Sequence, residues 1–453
     1  MSVRQPLWSW SELCASLGLP YQHGPDINGI HFDSRLIQPG DLFLPLPGDP
    51  GPRFRVAVRS ERDGHDYISS AVENGAVGLI ASRDIESPVP TLRVRDSIDA
   101  LWEIGKYRRH QIDCSVVAIT GSSGKTTLKT FLQSTTDGFS AQGSFNNHIG
   151  LPLSLAVTPK DTKVAIYEIG TNHPGEIAPL SALAQPDVVV VLNVLPVHIG
   201  HFKDLDALER EKFSITDGLS DSGCVVLPYT LKDSNYIDKH LRMVTFGFEE
   251  KAEVSIKYMR DNWYEFTHGN DSVKVVVPGG GNHRAESVAA CGAVLTSLGQ
   301  SLECLQRLET TLPEGRGNSI EINEVTIIDD SYNANPTSMI AALRELRKRP
   351  ANGRRIAVLA QMNELGTHAQ KLHESIAPEI GDIDVLYCVG SLMRHLYEVV
   401  DTPKEKYFYE LVCAELLDHL VCTLNQNDIV LVKGSNSFFW QANFVQKLRK
   451  SLT

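Results

Sequence analysis

The residues Thr120 to Thr127 read T-G-S-S-G-K-T-T and follow directly on the run Ser115-Val116-Val117-Ala118-Ile119. No other stretch restricts the fold as strongly. A buried strand that ends in a glycine-rich turn and continues into a helix with an apolar face (Leu128, Phe131, Leu132) is the arrangement that cradles phosphate, because N–H groups at the helix start converge on phosphate oxygens. Gly121 and Gly124 allow the tight turn, and Ser122, Ser123 and Thr127 complete the expected nucleotide contacts. Lys125 is placed to reach the β- and γ-phosphates, and the Thr126 hydroxyl to ligate magnesium. The spacing departs from G-x-x-x-x-G-K-[ST], because Ile119 stands where the first glycine is usual.

Alternation of strands and helices beyond this loop predicts an α/β protein with a mostly parallel central sheet. A chain of 453 residues exceeds one ordinary core, and three blocks emerge. Residues 1–110 form a smaller α/β unit with an extended segment at Asp41–Leu46, a helix at Ile68–Asn74, a strand at Ala76–Ala81 and a helix at Ser97–Arg109. Residues 47–60, rich in Gly, Pro and Arg, read as an irregular insertion. Residues 111–312 are the phosphate-loop unit, with further strands at Val164–Glu168, Asp187–Asn193 and Cys224–Leu227. Residues 313–453 form a second α/β unit, with strands at Val325–Asp329, Arg355–Leu359, Val385–Val389 and Ile429–Lys433 and helices at Ser338–Lys348 and Ala369–Ile380.

The formal net charge of -12 argues against a general nucleic-acid surface, which needs clustered Lys and Arg. The eight cysteines are scattered without a C-x-x-C pair, which indicates neither a zinc site nor a disulfide framework. No run approaches the ~18 apolar residues of a spanning helix, and the N-terminus lacks a signal-peptide pattern. A cytoplasmic protein without membrane insertion is the expectation.

Ligands of such sheets bind at the carboxyl ends of strands. Glu168 ends one strand, where a carboxylate would complete the magnesium shell begun by Thr126. His198 follows the end of the 187–193 strand; taken alone, such a histidine is usually structural.

With these motifs in place, nearly the whole chain resembles the Mur ligases, ATP-dependent enzymes that extend the peptidoglycan stem peptide. The resemblance is carried by T-G-S-S-G-K-T-T at 120–127, F-N-N-H-I-G-L-P at 145–152, E-I-G-T-N-H-P-G-E-I at 168–177 and D-D-S-Y-N-A-N-P-T-S-M at 329–339. The last two resemble the branch that adds D-alanyl-D-alanine. The resemblance implies an N-terminal domain for a UDP-sugar, a central ATPase domain and a C-terminal Rossmann-like domain closing on both, in a monomer. The implied substrates are UDP-N-acetylmuramoyl-tripeptide and D-Ala-D-Ala, with ATP and Mg2+. A substrate carboxylate attacks the γ-phosphate to give an acyl phosphate, which the dipeptide amine then displaces. Two anions must approach each other, so cations must screen them.

The implied roles fall on particular residues. Lys125 is the phosphate-loop lysine, Thr126 and Glu168 hold the first magnesium, and His198 helps to hold a second. Lys212 stands where many members carry a carbamylated lysine, although a solvated helix lysine is the plain alternative. Asn146 and Asn147 match asparagines near the phosphates and acyl substrate, while an Asn pair also suits a turn. Arg316, Asp330 and Asn333 match residues that reach ATP on closure. Ser34 and Arg35, with Asp63 and His65, resemble segments around the uridine diphosphate sugar.

Several positions depart from the family pattern. Ala360-Gln361-Met362 replaces the frequent G-D-M, Asn436 follows Lys433-Gly434-Ser435 in place of arginine, and Ser287 stands where asparagine is common. These leave open a related amide ligase acting on a different acyl donor or amine. The retained Lys125, Thr126, Glu168 and His198 count against a non-catalytic scaffold.

Overall fold

The computed structural model describes residues 6–49, 62–197, 199–309, 311–350, 352–403 and 405–453. The insertion read at 47–60 therefore lies, from residue 50 onward, outside the described residues, as does His198.

Three sheets carry the chain. The first is wholly parallel, in the order β1 (Ile30–His31), β2 (Leu42–Phe43), β3 (Gly78–Ala81) and β4 (Thr91–Arg93). A helix at Ser97–Gln111, capped by Asp96 through the N–H groups of Ile98 and Asp99, leads from it into the second sheet.

The central sheet contains β5 (Ser115–Thr120), β6 (Val164–Glu168), β7 (Val188–Val191), β8 (Cys224–Pro228), β9 (Arg242–Gly247), β10 (Val254–Arg260), β11 (Trp263–His268) and β12 (Asp271–Val276). Their order is β12-β11-β10-β9-β8-β7-β5-β6. β5 is parallel to both neighbours, and Ile119 pairs with Glu168 on one side and Val190 on the other. Side chains of β5 alternate faces, as strand geometry requires. Val117 and Ile119 join the core beneath the helices Lys125–Thr136 and Asn282–Ser297, while Val116 and Ala118 join the opposite core.

The third sheet comprises β13 (Asn318–Ile322), β14 (Val325–Asp330), β15 (Arg355–Ala360), β16 (Val385–Val389), β17 (Glu405–Tyr409) and β18 (Ile429–Lys433). Its order is β13-β14-β18-β15-β16-β17, and only the β13–β14 pair is antiparallel.

The α/β class and the parallel character of the sheets agree with the expectation, with two differences of detail. The strands β10 to β12 form an antiparallel meander in place of the expected alternation of strands and helices. The helix expected over Ala369–Ile380 stops at Glu374 and resumes as a 3-10 turn at Ala377–Glu379, because Pro378 cannot donate the next helical hydrogen bond.

The units of the central and third sheets touch at several places, two of which set their spacing away from the phosphate loop. Arg284 donates from Nη1 to the carbonyls of Gly279 and Gly280 at 2.9 and 3.2 Å and from Nη2 to that of Arg316 at 3.2 Å. On another side, Gly200 N–H donates to Glu364 O at 3.3 Å. A Cβ at Gly200 would stand 2.8 Å from Gly366 N, and one at Gly366 2.7 Å from Gly200 Cα. No helix among the described residues is long and apolar enough to cross a membrane.

Candidate active site

Gly124 has a φ of 82° and precedes the helix Lys125–Thr136 without a side-chain cap. The amide groups of the first turn are thus not claimed by a capping side chain, which is the condition for binding an anion there. Asn193, just past β7, straps the loop from below. Its Oδ1 accepts from the N–H groups of Ser122 and Ser123, each at 2.9 Å, and its Nδ2 donates to Ser123 O at 3.0 Å. Ser122 Oγ is fastened in turn to the backbone of Leu195.

Lys125 donates to Gly121 O at 2.7 Å, and burial, with Arg316 nearby, holds its pKa below the ordinary lysine value against the pull of Glu168. Thr126 Oγ1 is the hub of the site. It lies 2.9 Å from Ser144 Oγ and 3.2 Å from Glu168 Oε2, and it accepts from Arg316 Nη2 at 3.0 Å. Ser144 Oγ also donates to Glu168 Oε2, at 3.2 Å. Glu168 is 2% exposed, and its Oε1 takes no hydrogen bond. Thr126, Ser144 and Glu168 therefore gather hard oxygen donors of the type that suits magnesium.

These groups open into a cavity of about 310 Å³ between the central and third sheets. The central unit lines it with Ser122 to Thr126, Ser144, Asn146, Asn172, His283 and Arg284, and the third unit with Arg316, Asp330, Tyr332, Asn333 and Lys433. Arg316 stacks on the Tyr332 ring, 4.1 Å from its centroid. Asp330 is fixed by Lys433 Nζ at 2.7 Å, and Lys433 also donates to Asn333 O at 3.0 Å. Burial opposes ionisation of Asp330, yet Lys433 and Arg284 hold its pKa below the usual carboxylate range. Burial, reinforced by Arg284, pushes His283 down to about 3, so it stays neutral. The lining is cationic overall, as a polyphosphate requires.

Other expected site residues are placed differently. Asn147 is not among the cavity lining; its Oδ1 accepts from Ile149 and Gly150 N–H at 3.1 and 2.9 Å and fixes the start of the next helix. Thr127 is buried and also absent from the lining. Lys212 is not a solvated helix lysine. It is 3% exposed, and burial, then the charge of Lys125, pushes it down to about 7, with Glu211 opposing.

The N-terminal candidates lie on the first sheet unit, away from this cavity. Ser34 is buried, whereas the Arg35 side chain is 85% exposed and paired with Asp33 at 2.6 Å. Asp63 bonds His65 Nδ1 and Arg83, each at 2.6 Å, and His65 Nε2 accepts from Ser82 N–H at 3.1 Å. His65 thus braces the Asp63 turn.

The sequence motifs point to neither Ser144, which lines the cavity, nor Asn193, Lys129 and Glu211, which support it from outside the lining. Lys129 stands one helical turn after Lys125, a spacing that places both on one face. Glu211 accepts from the N–H groups of Gly175, Glu176 and Ile177 at 2.7, 3.0 and 2.9 Å, and no local pattern announces that contact.

Comparison with known proteins follows the same outline. Residues 119–295 match the Mur ligase middle domain, and residues 315–436 match the Mur ligase, glutamate ligase domain. The UDP-N-acetylmuramoyl-tripeptide--D-alanyl-D-alanine ligase of Rickettsia prowazekii is 30% identical over 449 residues, covering 95% of this chain and 97% of its own. The Escherichia coli ligase of the same name is also 30% identical, over 91% and 92% of the two chains. Among solved structures, a MurF from Acinetobacter baumannii superposes with a TM-score of 0.80 at 28% identity, covering 98% of this chain and 99% of that one. MurF from Thermotoga maritima in complex with ADP gives 0.76 at 25% identity, over 94% and 97%.

Proposed function

Because the chain belongs to the Mur ligase family, we propose that it joins D-alanyl-D-alanine to UDP-N-acetylmuramoyl-tripeptide at the expense of ATP, in peptidoglycan synthesis. The observation that carries this reading is the two-sided cavity, in which Arg316 from the third sheet unit bonds Thr126 of the phosphate loop at 3.0 Å. A site built across two units assembles only when they close, and closure keeps water from an acyl phosphate.

In this reading the uncapped helix start and Lys125 take the β- and γ-phosphates, Lys125 exchanging the Gly121 carbonyl for phosphate oxygen. Arg316, Asp330 and Asn333 hold the nucleotide from the opposite wall. Thr126 and Glu168 hold magnesium, with His198 assigned to a second ion by its position in the motif. Bound there, magnesium neutralises charge that develops on the phosphates. The tripeptide carboxylate oxygen attacks the γ-phosphorus and ADP leaves; the dipeptide amine then attacks the acyl carbon, loses a proton, and phosphate leaves. Asn146, on the cavity lining, orients the acyl substrate, while Asn147 beside it holds the start of the following helix in place.

Lys212, depressed to about 7, has at neutral pH a large neutral fraction, the form that adds carbon dioxide. A carbamate there would face the positive charge of Lys125 in place of a second ammonium. The uridine diphosphate sugar is assigned to the first sheet unit, where Arg35 is the exposed cation beside Ser34 and the His65-braced Asp63 turn. The same proposal divides the chain at about residues 110 and 312 and has it act as a cytoplasmic monomer.

A second reading, an amide ligase with another donor or amine, draws on the third unit. Gln361 is engaged with Asn363 Oδ1 at 2.9 Å and Leu392 N–H at 3.2 Å, and Asn436 with Gln441 at 3.0 Å. These two positions present amides where the family pattern has a carboxylate and a guanidinium. The test is phosphate release from ATP with UDP-N-acetylmuramoyl-tripeptide and D-Ala-D-Ala, each omitted in turn. Release that requires both is expected; release only with other carboxylates or amines would transfer the assignment to the second reading.

A further inference from the structure

Glu168 offers its two oxygens to different surroundings. Oε2 meets the hydroxyls of Thr126 and Ser144 at 3.2 Å each, on the cavity side. Oε1 faces Lys129, whose Nζ lies 3.3 Å away. Lys129 does not line the cavity, and its side chain is 8% exposed. Its ammonium also donates to Ala141 O at 2.9 Å and Gly143 O at 2.5 Å, on the segment that leads into Ser144 and Asn146. Lys129 thus joins the phosphate-loop helix, the end of β6 and the segment before Asn146.

A carboxylate this deeply buried needs a countercharge, because an unpaired ion out of water is strongly unfavourable. Lys129 supplies it from the side opposite the hydroxyls. With that charge in place, the Glu168–Lys129 pair is neutral, and only Oε2 is presented towards Thr126. A divalent cation approaching without nucleotide then finds one carboxylate oxygen, hydroxyls and nearby cations. Lys125 and Arg316 add further positive charge. Phosphate oxygens, which bring negative charge, reverse that balance.

We propose that Lys129 is a positioning residue that holds Glu168 as a one-oxygen metal ligand and suppresses metal binding until the nucleotide phosphates are present. The proposal rests on the assignment of Glu168 as a magnesium ligand. Metal and nucleotide then bind together, and the carboxylate does not trap a cation in the nucleotide-free protein. The role is electrostatic, so arginine preserves it and a neutral side chain abolishes it.

The test uses the full chain and Mn2+ as the probe, followed by its electron paramagnetic resonance signal with and without ATP. Wild type is expected to bind Mn2+ weakly alone and tightly with ATP. Lys129→Gln, which keeps a donor for the Ala141 and Gly143 carbonyls, is expected to bind Mn2+ about tenfold more tightly without ATP, and Lys129→Arg to behave as wild type. Glu168→Gln added to Lys129→Gln should remove the gain. A folded Lys129→Gln protein that binds Mn2+ no better than wild type without ATP overturns the role of Lys129. Lys129→Met takes its place should the Gln variant not fold. Failure of wild type to hold Mn2+ even with ATP would instead overturn the underlying metal assignment.

Discussion

Arg316 Nη2 and Thr126 Oγ1 lie 3.0 Å apart although 190 residues separate them in the chain. The guanidinium is steadied from behind by the Tyr332 ring, and the Arg316 carbonyl is tied to Arg284 of the central unit. The hydroxyl of the phosphate loop and the reach of the third unit are therefore one arrangement, and loss of either partner is felt by both sheets.

Arg316→Ala should weaken ATP binding by about 10- to 100-fold, the range for losing a charge-assisted hydrogen bond and a phosphate-facing cation. Titration of nucleotide binding by calorimetry checks this. Unchanged affinity would mean that the third unit closes without contributing to the nucleotide site.

Lys125→Ala should lower kcat by at least ~10³-fold, since a preorganised cation at the transferring phosphoryl is worth several kcal/mol. Single-turnover phosphate transfer reads this loss directly. Near-normal turnover would remove the phosphate loop from the mechanism.

Asn193→Ala removes three hydrogen bonds to the loop at Ser122 and Ser123. Their loss should cost about 1–3 kcal/mol and show mainly as a raised KM for ATP, because the loop must then be ordered by the nucleotide. Steady-state kinetics at varied ATP, together with thermal unfolding, separates that effect from general destabilisation.

Lys212 gives a pH signature. Its pKa falls from 10.5 in the unfolded chain to about 7 in the fold, so between those values the unfolded state holds the extra proton and stability rises with pH. Below about pH 7 the full cost of burying the ammonium is present. Lys212→Met should therefore be more stable than wild type at pH 6, by on the order of 1–3 kcal/mol, with the gap narrowing as pH rises through 7 towards 10. Parallel melting curves across that range decide it; a gap that widened with pH would contradict the buried-ammonium account. Carbon dioxide depletion should reduce turnover more at pH 6 than at pH 8, since the amine must be neutral to add it.

Much of the nucleotide side was legible in the sequence because it depends on local order. A strand, a glycine turn and a helix place Lys125 and Thr126 with little freedom, and the strand-end rule finds Glu168 because β6 lies directly beside β5. Asn193, Lys129 and Glu211 escaped because their partners are set by tertiary contact; Glu211 reaches N–H groups 34 to 36 residues back along the chain. The reading of Asn147 as catalytic meets a different arrangement, in which its side-chain oxygen is committed to a helix start. The meander at β10 to β12 did leave a trace. Asp261 and Asn262 both adopt positive φ, 44° and 65°, as a two-residue hairpin turn demands, and burial alternates over Trp263–Phe266 and Ser272–Val276. What hid it was the expectation of helices between strands.

The meeting of Gly200 with Gly366 gives the cleft a mechanical tolerance. Two backbones touch there with less clearance than a methyl group needs, so the joint works as a gauge block between the central and third units. Any substituent added to either loop becomes a shim, inserted outside the Arg316 to Thr126 contact and read at that gap. A graded series of shims, from alanine upward, would translate angstroms of opening into nucleotide affinity and so calibrate how far the jaws travel before the grip is lost.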